Sequence, residues 1–106
     1  MATAQERWIG RVVDNKATPG GWQGVIQVWV IGKENLPVTV FEVDSVWRTE
    51  ALTGSKTEYG PYAIEVAPLT PGRYTIVPQG LDVSLTVEVE SGRTVEVLFA
   101  READLP

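Results

Sequence analysis

This sequence predicts an all-β fold, a sandwich of seven or eight short antiparallel strands, on three observations. Sixteen valines, five isoleucines and ten threonines make β-branched side chains dominant among the 106 residues, and their stiff χ1 favours extended backbone over helix. Apolar residues recur with period two, and no window carries the i, i+3, i+4, i+7 stripe of an amphipathic helix. Turn formers break the chain into runs at roughly 8–12-residue spacing, the rhythm of a sandwich or small barrel.

The first run spans 7–13, where Trp8 and Ile9 lead into Val12 and Val13. Residues 14–21 are dense in turn formers and are expected to form a loop. The second run, 24–31, has apolar residues at every even position and a mixed set at Val25, Gln27, Trp29 and Ile31. That pattern describes a central strand with Ile26, Val28 and Val30 inward. Runs three and four, 38–43 and 46–52, follow the turn at 32–37 and precede the turn at 53–56. Run five, 62–66, places Tyr62, Ile64 and Val66 inward and Ala63 and Glu65 outward, and Pro61 fits a strand's start, where its missing N–H is not needed. Run six, 73–77, opens after Pro71-Gly72 and puts Tyr74 and Ile76 on one face. Runs seven and eight, 83–89 and 94–99, alternate cleanly, and Ser91-Gly92-Arg93 is expected to join them as a hairpin. Links this short predict antiparallel pairing, because a parallel crossover needs about a dozen residues. One domain, 1–106, accounts for the length, with 1–6 and 101–106 expected to fray.

Composition excludes several kinds of chemistry. Without cysteine or histidine the chain has no disulfide, no thiol nucleophile, no Ser-His-Asp triad and no cysteinyl or histidyl metal site. Asp14-Asn15 is the nearest approach to an acidic loop cluster, and two ligands are far short of the six to eight oxygens that calcium requires, so neither metal nor cofactor is expected. The net charge is −5, carried by residues 58–106, and an acidic surface repels both nucleic acid and anionic lipid. The longest nearly unbroken apolar run, 25–31, is far too short to span a bilayer, and residues 1–7 lack the basic and apolar regions of a signal peptide. Missing cysteines suit the cytosol and equally suit bacterial surface modules that avoid disulfides, so the compartment stays open.

The stretch Tyr59-Gly60-Pro61-Tyr62-Ala63-Ile64, followed by Leu69-Thr70-Pro71-Gly72-Arg73-Tyr74-Thr75-Ile76, resembles the G-x-Y-x-I … L-x-P-G-x-Y-x-I pattern of prealbumin-like sandwich modules. Carboxypeptidase regulatory-like domains and collagen-adhesin B-type repeats belong to this group. Segments 24–28, 36–40 and 83–99 fit the same frame, so the resemblance covers about 24–99. It implies prealbumin-like or Greek-key topology, a Gly72 that permits a tight turn, and a Tyr74 that fills the core while its hydroxyl reaches the rim. It also implies an accessory role outside the cytoplasm. An internal isopeptide bond of the adhesin kind is not expected. The segment 94–100 has no Asn or Asp, and Lys16, Lys33 and Lys56 all fall in expected loops.

The aromatic residues carry the remaining functional readings. Trp22, in the glycine-rich segment 19–24, either offers a stacking platform for a sugar or peptide or folds back to cap the sandwich. Trp29 lies on the mixed face of its strand, where it faces a ligand or partner, or is covered. Tyr59 is a contact candidate or simply part of a turn. Trp47 shares a face with Thr49 and Ala51 and is expected in the core, and Trp8 is expected to anchor the first strand. Glu88, Glu90 and Glu96 read as a solvated outer face and not as a catalytic pair, since no cleft is evident and no P-loop, dinucleotide, HExxH or GxSxG motif occurs. The expectation is a non-catalytic accessory module, a spacer or protein-interaction domain of a larger bacterial surface or secreted protein. Its partners would be neighbouring domains or another protein. The alternatives are a carbohydrate-binding module, recognised by an exposed coplanar Trp22–Trp29 or Trp22–Tyr59 pair, and a self-associating intracellular protein.

Overall fold

The computed structural model describes residues 7–21 and 23–105. Its eight strands are β1 (Trp8–Ala17), β2 (Gly24–Val30), β3 (Pro37–Glu42), β4 (Arg48–Leu52), β5 (Ala63–Leu69), β6 (Gly72–Pro78), β7 (Leu85–Val89) and β8 (Arg93–Arg101), with 3-10 turns at Thr57–Tyr59 and Glu102–Asp104. They form two four-stranded sheets, in the order β1-β8-β2-β5 and β4-β3-β6-β7. This is an open, mostly antiparallel β-sandwich.

The period-two pattern explains the core. Ile26, Val28 and Val30 of β2, Val95, Val97 and Phe99 of β8, and Ile64 and Val66 of β5 point inward from one sheet. They meet Val38 and Val40 of β3, Tyr74 and Ile76 of β6, and Val87 and Val89 of β7. Each such side chain contributes about 1.5–3 kcal/mol on burial, which is what holds the two sheets face to face. The hairpins β3–β4 and β6–β7 stay within one sheet, the β1–β2 link stays within the other and passes β8, and the remaining four links cross between sheets.

Four expectations are corrected. First, residues 14–17 are not loop: β1 runs on to Ala17, with a register shift between Val12 and Asp14. An edge strand tolerates this, because turn-forming side chains on its exposed stretch need not pack, and the bulge absorbs the mismatch. Lys16 therefore lies on a strand. Second, β7 and β8 are not a hairpin. The turn around Gly92 (φ +71) carries the chain from one sheet to the other. As a result β8 inserts between β1 and β2 and runs parallel to β2. The short-link argument governs only consecutive strands, and these two come from opposite ends of the chain. Third, Ala63 is wholly buried although it faces outward, a small side chain directly beside the larger Trp29 of β2. Fourth, Gly72 has no positive φ. A Cβ there would meet only the flexible end of Glu42, whose Oε2 lies 2.9 Å away and can swing aside, so the turn conformation expected to need glycine is not present.

Arg101 and Glu102 lie beside the first strand. Arg101 still pairs with Trp8, and the Glu102 N–H donates to the Arg7 carbonyl at 2.7 Å. The fraying expected of 1–6 lies outside the described residues.

Candidate functional site

The predicted contact residues Trp29 and Tyr59 do come together, on the outer face of the first sheet. On β2, Gln27 and Trp29 point away from the core; Gln27 lies between Glu65 of β5 and Glu96 of β8, and Trp29 between Ala63 and Leu98. The turn Thr57–Tyr59 packs over them. The Tyr59 ring meets Trp29 edge-on at 6.4 Å and 75°, and Trp29 Nε1–H donates to the Tyr59 carbonyl at 3.3 Å. Trp29 is thus half-buried and held, not presented.

Glu65 is the hub of this face. Its Oε2 accepts from Gln27 Nε2 at 3.0 Å and from the Tyr59 hydroxyl at 3.1 Å, and its Oε1 pairs with Lys56 Nζ at 3.3 Å. Burial pushes the Glu65 carboxyl up, but the hydrogen bonds from Gln27, Lys56 and Tyr59 outweigh it and hold the group below the ordinary carboxylate range. The same hydrogen bond from the other side, together with the carboxylate's charge, raises the Tyr59 phenol. One strand over, Lys16 bonds to Glu96, and that hydrogen bond and charge raise the Lys16 ammonium. Glu65 is therefore ionised and Tyr59 protonated at neutral pH. The Glu65 group ties β2, β5 and a turn together, and the Lys16–Glu96 pair ties β1 to β8 beside it. Glu96, read from the sequence as one outer face with Glu88 and Glu90, belongs to this sheet and not to theirs.

Trp22 lies outside the described residues, and so do the coplanar pairs it would make with Trp29 or Tyr59. Trp8 is half-buried against the core, with Lys33 Nζ 5.8 Å from its ring centroid. Among the described residues, no group of three or more acidic side chains is placed to hold a metal ion.

The exposed aromatic is a different one. Trp47 keeps the predicted parity with Thr49 and Ala51, but it lies in the turn just before β4 and not on the strand. It is 39% exposed, not core as expected. Its neighbour Val46 is 99% exposed. The turn that presents them is tightly built. Asp44 adopts φ +63, Ser45 N–H donates to the Glu42 carbonyl at 3.3 Å, Glu42 N–H to the Trp47 carbonyl at 3.1 Å, and Trp47 N–H to Ser45 Oγ at 3.1 Å. Beneath it, Tyr74 meets the Trp47 ring edge-on at 5.7 Å and 86°. Tyr74 is itself buried and fixed, since its hydroxyl donates to the Thr70 carbonyl at 2.7 Å, the tyrosine-corner arrangement of many sandwiches. An open depression of about 370 Å³ beside the tip is lined by Phe41, Ser45, Val46, Trp47 and Arg48. The arrangement offers a rigid apolar prominence with an adjoining hollow and a cation at its rim. One signal in the sequence pointed here: two large apolar residues directly after the turn formers Asp44-Ser45.

The chain matches no family model, no curated protein and no solved structure.

Proposed function

We propose that this chain is a non-catalytic interaction module that engages a neighbouring domain or another protein through its Val46–Trp47 tip. The observation that carries the reading is an almost fully exposed valine beside a 39% exposed tryptophan on a hydrogen-bonded turn. A tryptophan already braced by a buried tyrosine loses little conformational freedom on docking, and aromatic anchors of this kind dominate binding energy at protein interfaces. Its immediate surroundings, an open hollow and Arg48, suit a convex-to-concave contact with a polar rim.

The finer assignment, a prealbumin-like or carboxypeptidase regulatory-like module of a bacterial surface or secreted protein, is part of the same proposal. Supporting it are the 59–76 motif, the Tyr74 hydroxyl bonded at the rim, and the two-sheet sandwich. Trp29, Tyr59 and Glu65 act in this reading as the clamp that keeps the first sheet rigid.

A photo-crosslinking amino acid at position 46, with position 88 as the outward control, tests the reading in the producing cells. A discrete protein adduct from position 46 that disappears in a Trp47→Ala background is expected. No adduct, or the same adduct from both positions, overturns it. A glycan retained on an array by the native chain but not by Trp47→Ala moves the site to a carbohydrate partner.

A further inference from the structure

The side chains of β1 contribute little to what holds it in place. From Arg11 to Ala17 every residue is exposed, and Val12 and Val13, which would anchor a buried strand, are each 47% exposed. What binds the strand is the backbone ladder with β8, from Trp8↔Arg101 to Ala17↔Arg93. A few side-chain ties supplement it: Lys16 with Glu96, Arg93 with the side chain (3.0 Å) and carbonyl (2.7 Å) of Asn15, and Trp8 at the core's margin. The partner strand is the opposite case. Val95, Val97, Phe99 and Ala100 of β8 are at most 2% exposed. With β1 lifted away, β8 would present a long, apolar, unpaired edge, a surface that captures another strand.

The connection to the rest of the fold is suited to opening. Residues 18–23 link β1 to β2 across the start of β8, because β8 lies between them in the sheet. The link includes Pro19, Gly20 and Gly21, and Gly20 adopts φ +64 in open space. It is pinned by the Thr18 N–H to the Gly92 carbonyl (2.8 Å) and by the Thr18 and Thr94 hydroxyls (2.9 Å).

We infer that β1 is an exchangeable strand, and that the β8 edge accepts β1 from a second copy of this chain, giving a strand-swapped dimer. The occupant follows from the register itself: the second copy's β1 makes every contact the chain's own β1 makes. The closed monomer and the swapped dimer therefore differ only in the geometry of 18–23 and in the entropy of association, which concentration offsets. The sheet order favours the exchange further, since β8 is the only strand that β1 pairs with and it lies at the far end of the described chain.

The test uses the full chain, whose lack of cysteine makes an introduced pair unambiguous. Arg11 and Leu98 are register partners, so an Arg11→Cys, Leu98→Cys variant oxidises within one chain in the monomer and between chains in the swapped dimer. Refolded across about a hundredfold range of concentration, the covalent-dimer fraction is expected to rise at least about tenfold. Deleting 19–22 leaves too little chain to round the start of β8 and is expected to make the covalent dimer the main species. A bond that stays within one chain at every concentration overturns the inference, as does a dimer that falls apart into internally bonded monomers on non-reducing gels. If the shortened chain does not fold, the concentration series with the native hinge decides alone.

Discussion

Replacing Tyr74 by phenylalanine isolates one interaction that the fold and the proposed contact tip share. The ring stays, so no cavity forms, and only the hydroxyl is lost. That hydroxyl donates to the Thr70 carbonyl at 2.7 Å and lies 3.1 Å from Thr70 Oγ1. A typical buried hydrogen bond contributes about 0.5–1.5 kcal/mol net, and an orphaned buried acceptor costs about 1–3 kcal/mol. Thr70 is exposed, so water reaches its carbonyl once the tyrosine hydroxyl is gone. The expected loss is therefore at the lower end, about 1–1.5 kcal/mol, or a Tm lower by roughly 4–12 °C for a domain of this size. Thr70→Val removes the second oxygen but keeps the carbonyl bond and is expected to cost under about 0.5 kcal/mol. Urea unfolding followed by far-UV circular dichroism measures both, with an unchanged m value as the sign that only stability moved. A Tyr74→Phe chain as stable as the parent, or a Thr70→Val chain as damaged as Tyr74→Phe, would refute the reasoning.

Three further outcomes are expected. The folded-state pKa of Glu65 lies below its unfolded value, so its contribution is complete above about pH 4.3 and is lost as pH falls through the folded pKa; Glu65→Gln should flatten the acid limb of a stability-versus-pH curve, and an unaltered limb would contradict the hub assignment. Lys16 has the opposite sign: its raised pKa gives a contribution present below about pH 10.4 and lost as pH rises through the folded value, so Lys16→Met should flatten the alkaline limb, read by the same titration. Gly24→Ala places a Cβ 2.3 Å from Val89 Cγ1 and 3.0 Å from the Leu69 carbonyl, and is expected to cost about 1–3 kcal/mol, measured by urea unfolding, whereas a neutral result would mean the sheets separate easily at that end.

Much of the fold was legible because burial leaves a period-two trace. Val28, Val38, Ile76 and Val97 each stand at the centre of such a pattern, and all are wholly buried. What the pattern does not record is which strands become neighbours. The alternation of Val87-Val89 and Val95-Val97 around Gly92 is the same whether the turn closes a hairpin or crosses between sheets, so the β7–β8 link and the parallel β2–β8 pair could not be read from it. Edge strands leave a fainter trace still. Asp14-Asn15-Lys16 looks like a loop because an exposed strand that hydrogen-bonds only on one side can be polar on both faces. The candidate site shows the same limit. Parity assigned Trp47 to the inner side of its sheet, but parity says nothing about where a strand begins, and Trp47 falls in the turn before Arg48, where it is 39% exposed. Trp29 illustrates the converse: its strand position is outward, and its cover comes from a turn some thirty residues later in the chain that no local pattern connects to it.

Acrylamide quenching of tryptophan emission, one Trp→Phe variant at a time, tests the central claim most directly. Trp47 is expected to supply the red-shifted, freely quenched component, so that Trp47→Phe removes most of it while Trp29→Phe leaves it in place. A Trp47 that is blue-shifted and shielded, with Trp29 as the quenched residue, would move the exposed aromatic to the other sheet and contradict the proposed contact tip.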